Sequence, residues 1–322
     1  MKFGTNLAAI LLLLGLAIAV VACAPGAPAA PPSGRLRVIA TTTIVGDVVK
    51  QVGGEAIDLQ VLLPVGADPH AFEPTPHDLA RIAGARVIFA NGAGLEAFLD
   101  SLLANANSGA EIVEVSEGIA LRRAGEEPGH DEAEKNTPAA QDAHEHGGAD
   151  PHVWTDPNNV IVWTRNIEVA LSRLDGENAA RYRANAEAYR AQLQALDAWV
   201  REQVAQIPEA NRRLVTDHEV LGYFADRYGF QQAGTVFPGF STLAEPSAQD
   251  LAALENAIRA RGVKAVFVGT TVNPNLARRV AADTGARLVS FHTGSLTAPG
   301  GGADNYLDYV RHNVSAIVEA LK

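Results

Sequence analysis

The feature that most constrains this chain is an alternation of short apolar runs with stretches of helical spacing, carried out twice. Arg35 to Ala40 and Asp58 to Leu63 are runs of strand length. Thr43 to Val52 between them has helical spacing, stopped by Gly53-Gly54. Thr75-Pro76 opens a helix with a hydroxyl cap and proline at the first helical position. A strand at Val87 to Ala90, a helix from Leu95 and a strand near Ile112 to Val115 follow. The pattern then returns. Strands are expected at Leu214 to Thr216, Gln232 to Phe237, Ala265 to Val268 and Arg287 to Ser290. Helices at Val220 to Tyr228, Leu251 to Ala260 and Asn275 to Asp283 separate them, and a last helix covers about Asn305 to Leu321. Strands that alternate with helices imply an α/β fold, with a mainly parallel sheet covered by helices.

Two further features make this a fold of two lobes. Glu73-Pro74-Thr75-Pro76-His77-Asp78-Leu79-Ala80 matches Glu245-Pro246-Ser247-Ala248-Gln249-Asp250-Leu251-Ala252 at Glu, Pro, a hydroxyl residue, Asp, Leu and Ala. Each copy precedes a helix and then a strand. Between the halves the spacing is helical from Asn158 to Leu174, and again from about Glu177 to Gln206. The second stretch carries Tyr182, Tyr189, Leu193, Leu196 and Val200 on its apolar side. A helix of that length spans on the order of 45 Å, enough to cross a domain and brace it against a neighbour.

Composition sets the address. The 322 residues are 47% hydrophobic and carry a formal net charge of −11. Such an acidic balance argues against a nucleic-acid partner, which calls for a basic face. Lys2 and the apolar run Leu7 to Val21 form an export signal too short for a typical membrane span. It ends in Val20-Val21-Ala22-Cys23, with the only cysteine. A lone cysteine cannot staple a fold to itself. In this position it resembles the lipobox of bacterial lipoproteins, in which the thiol is lipidated and becomes the mature N-terminus. The Pro/Ala-rich run Ala24 to Gly34 reads as a semi-rigid spacer. From Glu126 to Ala149 the pattern dissolves into Glu, Asp, Gly, Pro, Ala and His130, His144 and His146, which reads as a solvated loop. The expected organisation is a signal at 1–23, a linker at 24–34, a first lobe at 35–176 holding the acidic loop 126–149, a linking helix at 177–207 and a second lobe at 208–322.

Among the histidines, three share a setting. His70 and His152 each close an Asp-Pro-His triplet, and His218 follows Asp217. Proline fixes its own φ and drives the preceding residue into an extended conformation, so Asp-Pro-His presents an imidazole stiffly. Each histidine belongs to a different segment, in a loop or at a strand-to-helix turn, where open α/β sheets bind their ligands. Together they supply three imidazoles for one metal ion. Asp304, in Gly300-Gly301-Gly302-Ala303-Asp304, offers a carboxylate to complete a tetrahedron or a cap for the last helix, and spacing leaves that choice open. The offset between the echoed segments places Thr242 opposite His70, so the site would be asymmetric. His77 and His312 read as surface residues, and His292 follows a strand with nothing evident to pair with it.

Asp-Pro-His-Ala-Phe-Glu-Pro (68–74), Asp-Pro-His-Val-Trp-Thr-Asp-Pro (150–157), His218-Glu219-Val220-Leu221-Gly222-Tyr223-Phe224 and Gly302-Ala303-Asp304-Asn305-Tyr306-Leu307 resemble the four signature segments of the zinc/manganese solute receptors of bacterial ABC importers. The resemblance covers nearly all of the mature chain in the right order. It implies two α/β lobes joined by one long backbone helix, with the metal between them. Its implied ligands are His70 and His152 from the first lobe and His218 and Asp304 from the second. Its implied partners are a permease with its ATPase, the receptor being a monomer lipid-anchored outside the cytoplasm, in the periplasm or on the outer cell face.

Zinc is the expected cargo. In manganese-preferring members of the resembled group the third segment offers a carboxylate, and here it offers His218. Three imidazoles and one carboxylate suit zinc, whereas manganese prefers more oxygen; manganese and ferrous iron are the alternatives. The loop histidines resemble the histidine-rich loop of zinc members, although the loop is short and sparse in histidine. Deleting it should slow loading and leave equilibrium affinity nearly intact. Two readings of other classes compete: a zinc hydrolase, which would need an open metal position with Glu219 as base and lacks a His-Glu-x-x-His pairing, and a metal-dependent adhesin on a lipid anchor.

Overall fold

The computed structural model describes residues 34–106, 108–123 and 148–322. The signal, nearly all of the linker and residues 124–147, with Cys23, His130, His144 and His146, lie outside the described residues.

The first lobe runs β1 (Leu36–Ala40), α1 (Thr43–Gly53), β2 (Ile57–Val61), α2 (Pro76–Ala83), β3 (Val87–Ala90), α3 (Leu99–Ala106) and β4 (Glu111–Glu114). Its strands form one parallel sheet in the order β2-β1-β3-β4. After α4 (Pro157–Leu174) and α5 (Ala179–Val204) the second lobe begins. It runs β5 (Arg213–Thr216), α6 (Gly222–Tyr228), β6 (Gln231–Thr235), α7 (Ala248–Arg261), β7 (Ala265–Gly269), α8 (Asn275–Thr284), β8 (Arg287–Phe291) and α9 (Tyr306–Leu321). Its sheet is again parallel and has the corresponding order, β6-β5-β7-β8.

The echoed octapeptide has one job in both lobes. Thr75 and Asp78 form a capping box at the start of α2, and Ser247 and Asp250 form the same box at the start of α7. Each hydroxyl satisfies a helix amide while each aspartate reaches back to the cap residue, so two orphan donors are paired at once.

Strand side chains alternate between two cores, as the pleat requires. Val38, Ala40, Val87 and Phe89 face inward to a large cluster, and Ile39, Ile88 and Ala90 face outward toward Ile82, Leu99 and Leu102 of α2 and α3. The second sheet repeats this. Ala265 and Phe267 point inward, and Val266 and Val268 meet Leu254, Ile258 and Val280 of α7 and α8. The inward cluster is continuous from one lobe to the other through α4, α5, α6 and α9. Helix α5 is 26 residues long and buries Tyr182, Ala186, Tyr189, Leu193, Leu196, Val200 and Val204, one stripe at helical spacing. A shared close-packed core resists hinge motion, because separating the lobes would open it to water.

Candidate metal centre

His70 lies in the loop between β2 and α2, His152 just before α4, and His218 immediately beyond β5. Each is set by an aspartate upstream. Asp68 Oδ1 accepts the His70 N–H at 3.0 Å, Asp150 Oδ1 accepts that of His152 at 3.0 Å, and Asp217 Oδ1 accepts that of His218 at 2.7 Å. These short bonds fix the local backbone, and the fold brings the rings together. His152 Nε2 lies 3.1 Å from His70 Nε2 and 3.2 Å from His218 Nε2. One ligand atom from each ring lies within 4.8 Å of the others. Two nitrogens at roughly 2.0–2.1 Å from a tetrahedral metal stand about 3.3 Å apart, so both pairs through His152 have the separation a dication needs.

The carboxylates behind the rings make them good donors. Asp150 Oδ1 also lies 2.8 Å from His152 Nδ1, and Asp217 Oδ1 lies 2.7 Å from His218 Nδ1. An Nδ1–H donated to a carboxylate leaves the Nε2 lone pair facing the centre and raises its basicity. Both carboxylates are themselves held. Asp217 Oδ2 accepts the Gly269 N–H, and Asp150 Oδ2 accepts from Arg122 Nη1 at 2.9 Å. Arg122 Nε donates to Asp226 of α6, which ties the second Asp-Pro-His turn to the opposite lobe. His152 and His218 are almost fully buried, and His70 is half-buried. Burial, followed by the neighbouring His152 and His218, pushes the His70 imidazole down to about 2. Burial also lowers that of His152, against the pull of Asp150. Both rings are therefore neutral bases at physiological pH.

The cavity is closed from both lobes. Pro69, His70, His152 and Trp154 line one side, and His218, Val220, Thr271, Thr293 and Gly294 the other. Thr271 and Thr293 lie just beyond the carboxyl ends of β7 and β8, the usual ligand end of an open α/β sheet. Gly294 is needed by close approach, since a Cβ there would stand 2.5 Å from Pro69 Cδ. Thr242 Oγ1 donates to Asp68 Oδ2 at 2.6 Å, so the two echoed loops meet across the mouth. Tyr306 OH donates to the Trp154 carbonyl at 2.7 Å, and Tyr309 OH donates to that of Thr293 at 2.8 Å. A larger groove beside β4 is lined by Glu111, Glu114, Glu117 and Arg173, with no imidazole among its lining residues.

Asp304 stands outside this group. It is exposed, its Oδ2 accepts the Gly300 N–H at 2.8 Å, and its Oδ1 accepts from Asn305 Nδ2. Neither the cap nor the ligand reading of the sequence describes it: the α9 cap is Asn305, whose side chain accepts the Asp308 N–H. The carboxylate instead closes the glycine turn, where Gly300 and Gly302 have φ of 81° and 83°. Glu219 is absent from the cavity lining, although Val220 belongs to it. The sequence reading passed over Asp150 and Asp217 as ring partners. Their signal was the aspartate one or two positions before each histidine.

Residues 38–320 match the family described as zinc-uptake complex component A, periplasmic (ZnuA). The manganese-binding lipoprotein MntA of Halalkalibacterium halodurans is 32% identical over 287 residues, covering 89% of this chain and 88% of that protein. The manganese ABC transporter substrate-binding lipoprotein PsaA of Streptococcus mitis is 29% identical, covering 94% and 95%. Among solved structures, the periplasmic zinc-binding protein TroA of Treponema pallidum aligns with a TM-score of 0.78 at 26% identity, over 89% of this chain and 99% of that one. With the match spanning both lobes and the linking helix, the chain belongs to the ZnuA family of metal-binding solute receptors of ABC importers, which are receptors and not enzymes.

Proposed function

We propose that this receptor captures a dication on His70, His152 and His218 and delivers it to an ABC permease, and that the cargo is zinc. The observation that carries the reading is the convergence of three Nε2 atoms, 3.1 and 3.2 Å apart, with Asp150 and Asp217 behind two of them. Neutral imidazoles are borderline-soft donors and suit zinc better than manganese. The ion exchanges water for ring nitrogens already at coordination distance, so little reorganisation opposes binding. Because the core runs unbroken between the lobes, opening is confined to the loops at the mouth, around Asp68 and Thr242.

Manganese is the second reading, favoured by the relatives MntA, a manganese-binding lipoprotein, and PsaA, of a manganese ABC transporter. Tighter zinc binding in a titration does not decide between them, because most nitrogen sites rank zinc above manganese. The deciding experiment is metal accumulation in cells with and without the receptor. Loss of zinc uptake with manganese unchanged supports the proposal, and the reverse result overturns it. The same reading has the chain anchored outside the cytoplasm by a lipid on Cys23 and acting as a monomer. Among the described residues no helix is long and apolar enough to cross a membrane. Cys23→Ala should release the protein from membranes, and retention would remove the anchor from the proposal.

A further inference from the structure

A second pair of imidazoles meets outside the cavity. His292 follows β8 directly and His312 lies in α9. Their ring centroids are 4.6 Å apart with planes tilted by 44°. Within the triad the corresponding separations are 4.9, 5.2 and 5.4 Å, at tilts of 57° to 84°. Two imidazoles that share a metal at roughly 2.0–2.1 Å per nitrogen have centroids about 5 Å apart. The outer pair is thus slightly closer than any pair of the triad, and a small turn of the His312 ring would bring it to that separation.

The pair is half fixed and half adjustable. His292 donates its N–H to Asn313 Oδ1 at 2.8 Å and accepts from Asn313 Nδ2 at 2.8 Å, which holds its backbone against α9. Its Nδ1 lies 3.3 Å from Thr270 Oγ1, so that nitrogen is engaged and Nε2 is left for a ligand. Burial, and then His312, lower the affinity of His292 for a proton, which keeps the ring a neutral donor. His312 is exposed, and an exposed side chain reorients on the picosecond-to-nanosecond scale, so it can turn to meet an ion. Thr293 and Gly294, the next two residues, line the cargo cavity.

We propose that His292 and His312 form a second, weaker site for a borderline dication such as zinc, with two protein nitrogens and water completing its shell. It is separate from the triad and does not rest on which metal is the cargo. The test is a zinc titration of the full chain by calorimetry, with histidine ring resonances followed in parallel. After the first equivalent, a weaker second event is expected, moving the His292 and His312 resonances. His312→Ala, an exposed position, should weaken that event by at least about tenfold and leave the first unchanged. His292→Asn should repeat the effect. Absence of a second event, its survival in both variants, or its appearance on His130, His144 and His146 instead, overturns the proposal.

Discussion

The same tripeptide, Asp-Pro-His, is built twice in this protein, and the two copies reach different states. In both, the aspartate Oδ1 accepts the N–H of the histidine two residues on at 3.0 Å. In the copy at 150–152 Asp150 and His152 are buried, at 0% and 1% exposure, and the same oxygen also holds the ring Nδ1. In the copy at 68–70 the histidine stays half-buried, and Asp68 turns its other oxygen to Thr242 of the opposite lobe. One copy aligns a ring, and the other ties a loop. In the proposed centre His152 is accordingly the fixed post, within reach of both other rings, and His70 would be the ligand at the mouth.

The largest expected effect is on the fixed post. His152→Ala should reduce zinc affinity by more than about a hundredfold, because it removes the ring central to the triad. Competition with a chromophoric chelator measures it, and an equal or greater loss in His70→Ala would abolish the distinction between the copies. Next comes the aspartate pair. Asp150→Asn should cost about ten- to a hundredfold in affinity, and Asp68→Asn less than about tenfold, since of these two aspartates Asp150 alone holds a ring.

The third expectation concerns pH and the metal-free protein. The folded state holds His70 and His152 below their ordinary range, so the unfolded chain binds more protons once the pH falls below about 6.5. Stability from these rings is therefore full above that pH and is lost as the pH falls further, by up to about 1.4 kcal/mol per unit for each ring. Thermal melts between pH 7 and pH 5 should show the decline, and His70→Gln should flatten it. An unchanged slope would mean that the rings are not held neutral. The smallest effect is at the tie. Thr242→Val should leave the fold intact, destabilise by about 1 kcal/mol and speed metal release a few-fold in stopped flow.

Much of the scaffold was legible because its signals are local. The strand at Val87–Ala90 and the helix start at Thr75-Pro76 lie where period and cap chemistry placed them. Helix α3 starts at Leu99 and not at Leu95. The reason is Glu96, whose buried carboxylate folds back onto the Asn91 and Gly92 amides and the Thr41 hydroxyl. Thr41 is remote in sequence, so spacing gave no warning. His292 is a similar case, because its neighbour His312 arrives only when α9 docks beside β8.

By itself the sequence determined two parallel α/β halves, their shared cap motif, the long bracing helix and the stiff presentation of His70 and His152. Each of these depends on interactions within a few residues of chain or on a repeating period. Tertiary structure alone decided that imidazoles 82 and 66 positions apart would stand at coordination distance, and that Asp304 would close its own turn. It also gave Asp150 a ring to align and Asp68 a loop to tie. Coordination depends on separation in space, and in this protein the core packed between the lobes sets that separation.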